Sequence, residues 1–213
     1  MRSAQRGHTG SSRPATGYAI ADLAGDVLAF LDAVGIERAV LAGHSLGALS
    51  ALQAAIVAPD RITGLVLAPG FATARALPAI RELLNAVNTM DEELDRDFVE
   101  YLQEQAREPQ LPDGFFDTMV DAALRMPAAT CRALLEGIIA FDAERELAKA
   151  TAPALLLWGD EDVIVPRAQA DALARELPAA ELRVVPGCGH TPHWHDPHGF
   201  AHTLTRFAAR VTS

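Results

Sequence analysis

The chain has 213 residues, half of them hydrophobic, which suits one globular domain with an insertion and a substantial core. A formal net charge of −10 and a sequence pI of about 5.1 argue against a nucleic-acid surface or an anionic membrane as partner. Cys131 and Cys188 stand far apart in no metal-like spacing, and Met1 to His8 lacks the apolar stretch of a secretory signal, so a reduced, cytoplasmic setting is expected.

Residues 1–17 are rich in Gly, Ser, Arg and Thr and read as a loop. A helix is predicted from Ile20 to Val34, with Leu23, Val27, Phe30, Leu31 and Val34 on one face and Gly35 as its stop. Ala39 to Ala42 reads as a strand, Leu46 to Ala58 as a helix and Ile62 to Leu67 as a second strand. The apolar run from Ala39 to Ala58 is broken by His44, Ser45, Ser50, Gln53 and a glycine turn, which argues for strand plus buried helix over a membrane span. From Phe71 to about Ala150 no strand alternation occurs, only helical patterns punctuated by Pro78, Pro109, Pro112 and Pro127. A helical cap over residues 73–147, inserted into a core of residues 1–72 and 148–213, is therefore expected. Within it, residues 91–108 hold eight acids and two bases, a run that reads as a solvated helix face. Strand Ala154 to Trp158, helix Arg167 to Leu177, strand Leu182 to Val185 and a helix from about Gly199 to Arg210 complete the order. Strands of continuous apolar character alternating with helices predict an α/β fold, a mostly parallel sheet covered on both faces.

The chemistry centres on Gly43-His44-Ser45-Leu46-Gly47, placed where a strand turns sharply into a helix. In that context the serine is strained with its hydroxyl projecting, and both glycines are expected to be required because a Cβ would collide with the strand or helix. Ser45 needs a base to take its proton and a carboxylate to orient that base. Both follow beyond later strand ends: Asp160, Glu161 or Asp162 after the Ala154 strand, and His190 in Gly187-Cys188-Gly189-His190 after the Leu182 strand. Spacing alone leaves the three acids open. His44 reads as a packing or hydrogen-bonding residue pointing to the other side of the turn. Cys188, His190, His193, His195, Asp196 and His198 could also be argued as a zinc site, but Trp194 and Pro197 break any regular spacing. Phe98, Phe115, Phe116, Met119 and Met126 read either as an apolar acyl pocket or as plain core.

With Gly43-x-Ser45-x-Gly47, Gly159-x-x-Asp162 and Gly189-His190 in this order, and Gln5-Arg6-Gly7-His8 similar to the turn after a fourth strand, the chain resembles the α/β-hydrolase fold of the lipase, esterase and haloperoxidase-like group. The resemblance covers nearly the whole chain. It implies a serine hydrolase with Ser45 as nucleophile, His190 as base and Asp162 as acid, acting on a small uncharged ester or related acyl compound with no cofactor and no metal. Asp160 then becomes a loop residue bonded to local backbone. One oxyanion donor is the Leu46 N–H; the second comes from a loop after the third strand, which these residues do not include. The four readable strands correspond to the fifth to eighth of that fold, so the chain is expected to lack preceding strands and to turn over slowly. The Ala39 strand is then an open edge, expected to drive self-association. Two other readings compete: a non-catalytic remnant or interaction protein of this fold, and a metal-binding module using the histidine cluster.

Overall fold

A computed structural model describes residues 4–8, 10–75, 77–105, 108 and 111–212. Pro109 of the expected punctuation lies outside them. The four strands are β1 (Ala39–Gly43), β2 (Ile62–Leu67), β3 (Ala154–Gly159) and β4 (Ala180–Val185). They lie in the order β1-β2-β3-β4 with every pairing parallel. Parallel neighbours need long crossovers, and helices supply them: α1 (Ile20–Ala33) precedes β1, α2 (Leu46–Val57) joins β1 to β2, and α7 (Arg167–Glu176) joins β3 to β4.

The central strands are buried on both faces, as their unbroken apolar sequences require. Leu65, Leu67, Ala154 and Leu156 face a large core shared with α1, α2 and α7. Val66, Leu155 and Leu157 point the other way, onto Phe207, Phe200 and Leu204 of α9 (Pro197–Thr212). Gly35, at φ 70°, ends α1 in a left-handed turn in which its N–H and that of Ile36 close back on Asp32 and Leu31. The short helix α8 (Pro192–His195), just after the β4 loop, was not expected from the sequence.

Between β2 and β3 stand four helices: α3 (Pro78–Val87), α4 (Arg96–Glu104), α5 (Phe115–Leu124) and α6 (Ala128–Ala140). Pro78 opens α3 and Pro127 caps α6, positions where the missing proline N–H costs nothing. The two ends of this segment are pinned together: Thr73 and Asp142 form an antiparallel bridge, and the Ala143 N–H donates to Ala72. Phe98, Phe116 and Met126 pack half-buried against the main core, and Met119 is buried. The acidic run is mostly solvent-facing along α4, with Asp95 capping it through the Asp97 and Phe98 N–H groups. Glu108 departs from the expected solvated face: it is 1% exposed.

Candidate active site

The loops at the carboxyl ends of β1, β3 and β4 carry the candidate residues. Ser45 follows β1 with φ 50° and ψ −116°, and no other described non-glycine residue has a positive φ. The turn exists because Gly43 lets the backbone fold back on itself: a Cβ there would lie 2.2 Å from the Gly47 carbonyl oxygen. Gly47 corrects the expectation that both glycines are needed, since a Cβ on it meets nothing within 4 Å. Leu46 is the first residue of α2, where N–H groups have no intrahelical acceptor and the helix dipole is positive.

The carboxylate after β3 is held before it meets any base. Asp162 Oδ1 accepts the N–H groups of Ile164 at 2.8 Å and Val165 at 2.9 Å. The indole N–H of Trp158 fixes the far side of the same loop by donating to the Val165 carbonyl at 2.8 Å. That arrangement leaves Oδ2 aimed at His190, whose Nδ1–H donates to it at 3.0 Å. Both side chains are buried, so the pair is little screened. Asp160 is exposed and accepts the Gly187 N–H at 2.7 Å: the partner is backbone, as expected, but it lies 27 residues along the chain on the loop after β4 and is not local. Gly159 allows this juxtaposition: a Cβ on it would lie 2.2 Å from the Cys188 carbonyl oxygen, so the β3 end and the His190 loop touch backbone to backbone.

His44 ties the serine turn to the histidine loop, since its Nε2–H donates to the His190 carbonyl at 3.0 Å. Among the described residues no hydrogen bond joins Ser45 Oγ to His190 directly. Burial first, then the nearby His190 and His193, push the His44 pKa down to about 3, so at neutral pH this ring is a neutral donor and not a second base. His193 packs tilted against the rings of His44 and Trp194, and burial lowers its pKa to about 4.

The histidine cluster seen in the sequence comes apart in the fold. His190 pairs with Asp162, His193 packs among rings, Asp196 accepts the Gly199 N–H, and His195 Nδ1 meets Glu108 Oε2 at 2.9 Å. Among the described residues, the group whose ligand atoms come within 4.8 Å of one another is Glu108, Cys188 and His195. Cys188 there is a buried thiol raised to about 12 by burial and by the carboxylates of Glu108, Asp162 and Asp160, which removes it as a rival nucleophile. Glu108 is the site residue that sequence reasoning missed. It sits at the end of a charged run, 80 residues from Cys188 in sequence, and no local pattern marks it as buried.

A cleft of about 240 Å³ opens beside this group, lined by Glu108, Leu111, Pro112, Gly114 and Phe116 with Asp113 and Asp117. A second of about 520 Å³ lies among Met90, Leu94 and Phe98. Ser45 and His190 line neither, so the site is located by its chemistry and not by cavity size. A serine at positive φ at a helix N-terminus, whose neighbour His44 bonds the segment of a histidine oriented by a buried carboxylate, is an arrangement suited to acyl transfer.

The fold and this site define the class: the chain belongs to the alpha/beta hydrolase family, whose profile matches residues 4–203, and it is a hydrolase. It is 34% identical over 221 residues to the "Putative carbamate hydrolase RutD" of Variovorax paradoxus (strain S110), covering 98% of this chain and 80% of that protein. It is 28% identical to the pimeloyl-[acyl-carrier protein] methyl ester esterase of Edwardsiella ictaluri (strain 93-146), covering 95% of this chain and 79% of that one. Among solved structures, Est816, described as an N-acyl homoserine lactone degrading enzyme, superimposes with a TM-score of 0.82 at 28% identity, covering 95% of this chain and 80% of its own. Among the described residues, no helix is long and apolar enough to cross a membrane.

Proposed function

We propose that this protein is a serine hydrolase of small uncharged esters or related acyl compounds, with Ser45, His190 and Asp162 as its triad. The observation that carries the reading is the Asp162–His190 bond at 3.0 Å, with Asp162 itself pre-oriented by two backbone N–H groups. Ser45 Oγ attacks the acyl carbon while His190 Nε2 takes the hydroxyl proton, and Asp162 steadies the imidazolium that results. The Leu46 N–H stabilises the oxyanion; His190 then returns the proton to the leaving group, and water releases the acyl group by the same steps. Residues 73–147 act as a cap, a role supported by Glu108 against the His190 segment and by Phe115 edge-on to Trp194 at 5.5 Å. Relatives named for carbamate, methyl ester and lactone chemistry support an activated acyl carbon as the common target.

The test separates the two aspartates. Asp162→Ala is expected to lower p-nitrophenyl butyrate turnover by about 100-fold or more, by analogy with triad acids elsewhere. Asp160→Ala at equal melting temperature is expected to cost less than about fivefold, the scale of one exposed hydrogen bond. A larger loss from Asp160→Ala would move the acid to the other carboxylate.

A further inference from the structure

We propose that Glu108 is a positioning residue for catalysis, which holds the His190 segment in place from the helical segment between β2 and β3. The inference rests on the reading of His190 as the base. Glu108 Oε1 accepts the Gly189 N–H at 3.1 Å and the Thr191 hydroxyl at 3.3 Å, and Oε2 faces His195 Nδ1 at 2.9 Å. Gly189 and Thr191 are the two neighbours of His190, so one carboxylate brackets the base on both sides. All these partners lie on a segment that is only seven residues long, from Gly189 to His195. A charged side chain that is 1% exposed persists only where such donors surround it, and the carboxylate here has donors on both oxygens. His44 holds His190 from the serine turn and Asp162 holds its ring, but neither reaches the backbone N–H at Gly189 or the hydroxyl at Thr191. Glu108 therefore couples the placement of the helical segment to the geometry of the base.

Removing the carboxylate takes away the acceptor shared by the Gly189 N–H and the Thr191 hydroxyl and lets the segment relax, and displacements on the order of 1 Å cost about 100-fold in rate. Glu108→Ala is thus expected to lower kcat for p-nitrophenyl butyrate by about 10- to 100-fold with KM within about threefold. Glu108→Gln, whose carbonyl still accepts from Gly189 and Thr191, is expected to recover kcat to within about fivefold of the parent. Thr191→Val, which removes the hydroxyl that bonds Glu108, is expected to lower kcat by about 3- to 10-fold at unchanged KM. Fluorophosphonate labelling of Ser45 should slow in the same order.

Ser45→Ala, run alongside, keeps the two readings apart. If Glu108→Ala matches the parent in kcat and labelling rate while Ser45→Ala is inert, the positioning role is wrong and the triad stands. If Ser45→Ala still hydrolyses and labels like the parent, the triad fails and the positioning role with it. Should Glu108→Ala not fold, Thr191→Val decides, and parental kcat there overturns the proposal. Stoichiometric zinc in the purified protein, lost in Glu108→Gln, would also overturn it, because Glu108 would then be a metal ligand beside Cys188 and His195.

Discussion

At the scale of single residues, the candidate site rests on side chains whose direction is fixed by burial and backbone donors. Ser45 and His190 act as one unit in the proposed mechanism, so the Ser45→Ala and His190→Ala double variant should be hardly slower than either single variant, as ester hydrolysis kinetics would read directly. His44 and His193 add a pH signature. Their native pKa values, about 3 and about 4, lie below the ordinary 6.5, so the unfolded chain binds more protons in acid. Their contribution to stability is complete above about pH 6.5 and is lost as pH falls towards those values, by on the order of a few kcal/mol for His44. Urea midpoints should decline from pH 7 to pH 4, and His44→Asn, which keeps a donor for the His190 carbonyl, should flatten that decline. An unchanged slope would place the acid sensitivity elsewhere. Ser45 and His190 were legible as candidates because each sits beyond an apolar strand in a glycine-marked turn. Asp162 was not separable from Asp160 and Glu161 by spacing, because what sets it apart is the pair of Ile164 and Val165 N–H groups that turn its carboxylate inwards towards His190. Glu108 was illegible because its burial is decided by partners distant in sequence.

At the scale of elements, the turn between β1 and α2 is the part that sequence and structure divide most sharply. The two glycines of the motif look equivalent on paper, yet only Gly43 faces a carbonyl 2.2 Å from where its Cβ would stand. Gly43→Ala is expected to cost about 3 kcal/mol or more and to abolish activity, since the backbone around Ser45 must shift. Gly47→Ala, in the first turn of α2 with open space before it, should change stability by less than about 1 kcal/mol, in the stabilising direction by helix propensity. Chemical denaturation of the two variants checks both, and equal losses would show that the open space at Gly47 is filled in solution. The strands were readable because β2 and β3 are buried on both faces and so carry unbroken apolar runs. The four helices between β2 and β3 were readable as helices, but which surfaces they cover was not, because that is set by tertiary packing, α3 against α6 and α4 against α5.

At the scale of the whole molecule, the sheet has one hydrogen-bonded neighbour for β1, on its β2 side, and the described residues supply no strand on the other. Ala39 to Gly43 is apolar and only partly buried, the kind of edge that recruits another chain. The 213-residue protein is therefore expected to run as a dimer or larger species in size-exclusion chromatography, and Ala39→Lys, placing a charge at the end of β1 away from Ser45, should shift it towards monomer. A monomer before substitution would show that this edge is tolerated. The central claim is that Ser45, activated by His190, is the nucleophile, and fluorophosphonate labelling followed by peptide mass spectrometry tests it most directly. One adduct is expected, on Ser45, absent in Ser45→Ala and formed far more slowly in His190→Ala. An adduct on another residue, or parental labelling speed in His190→Ala, would contradict it.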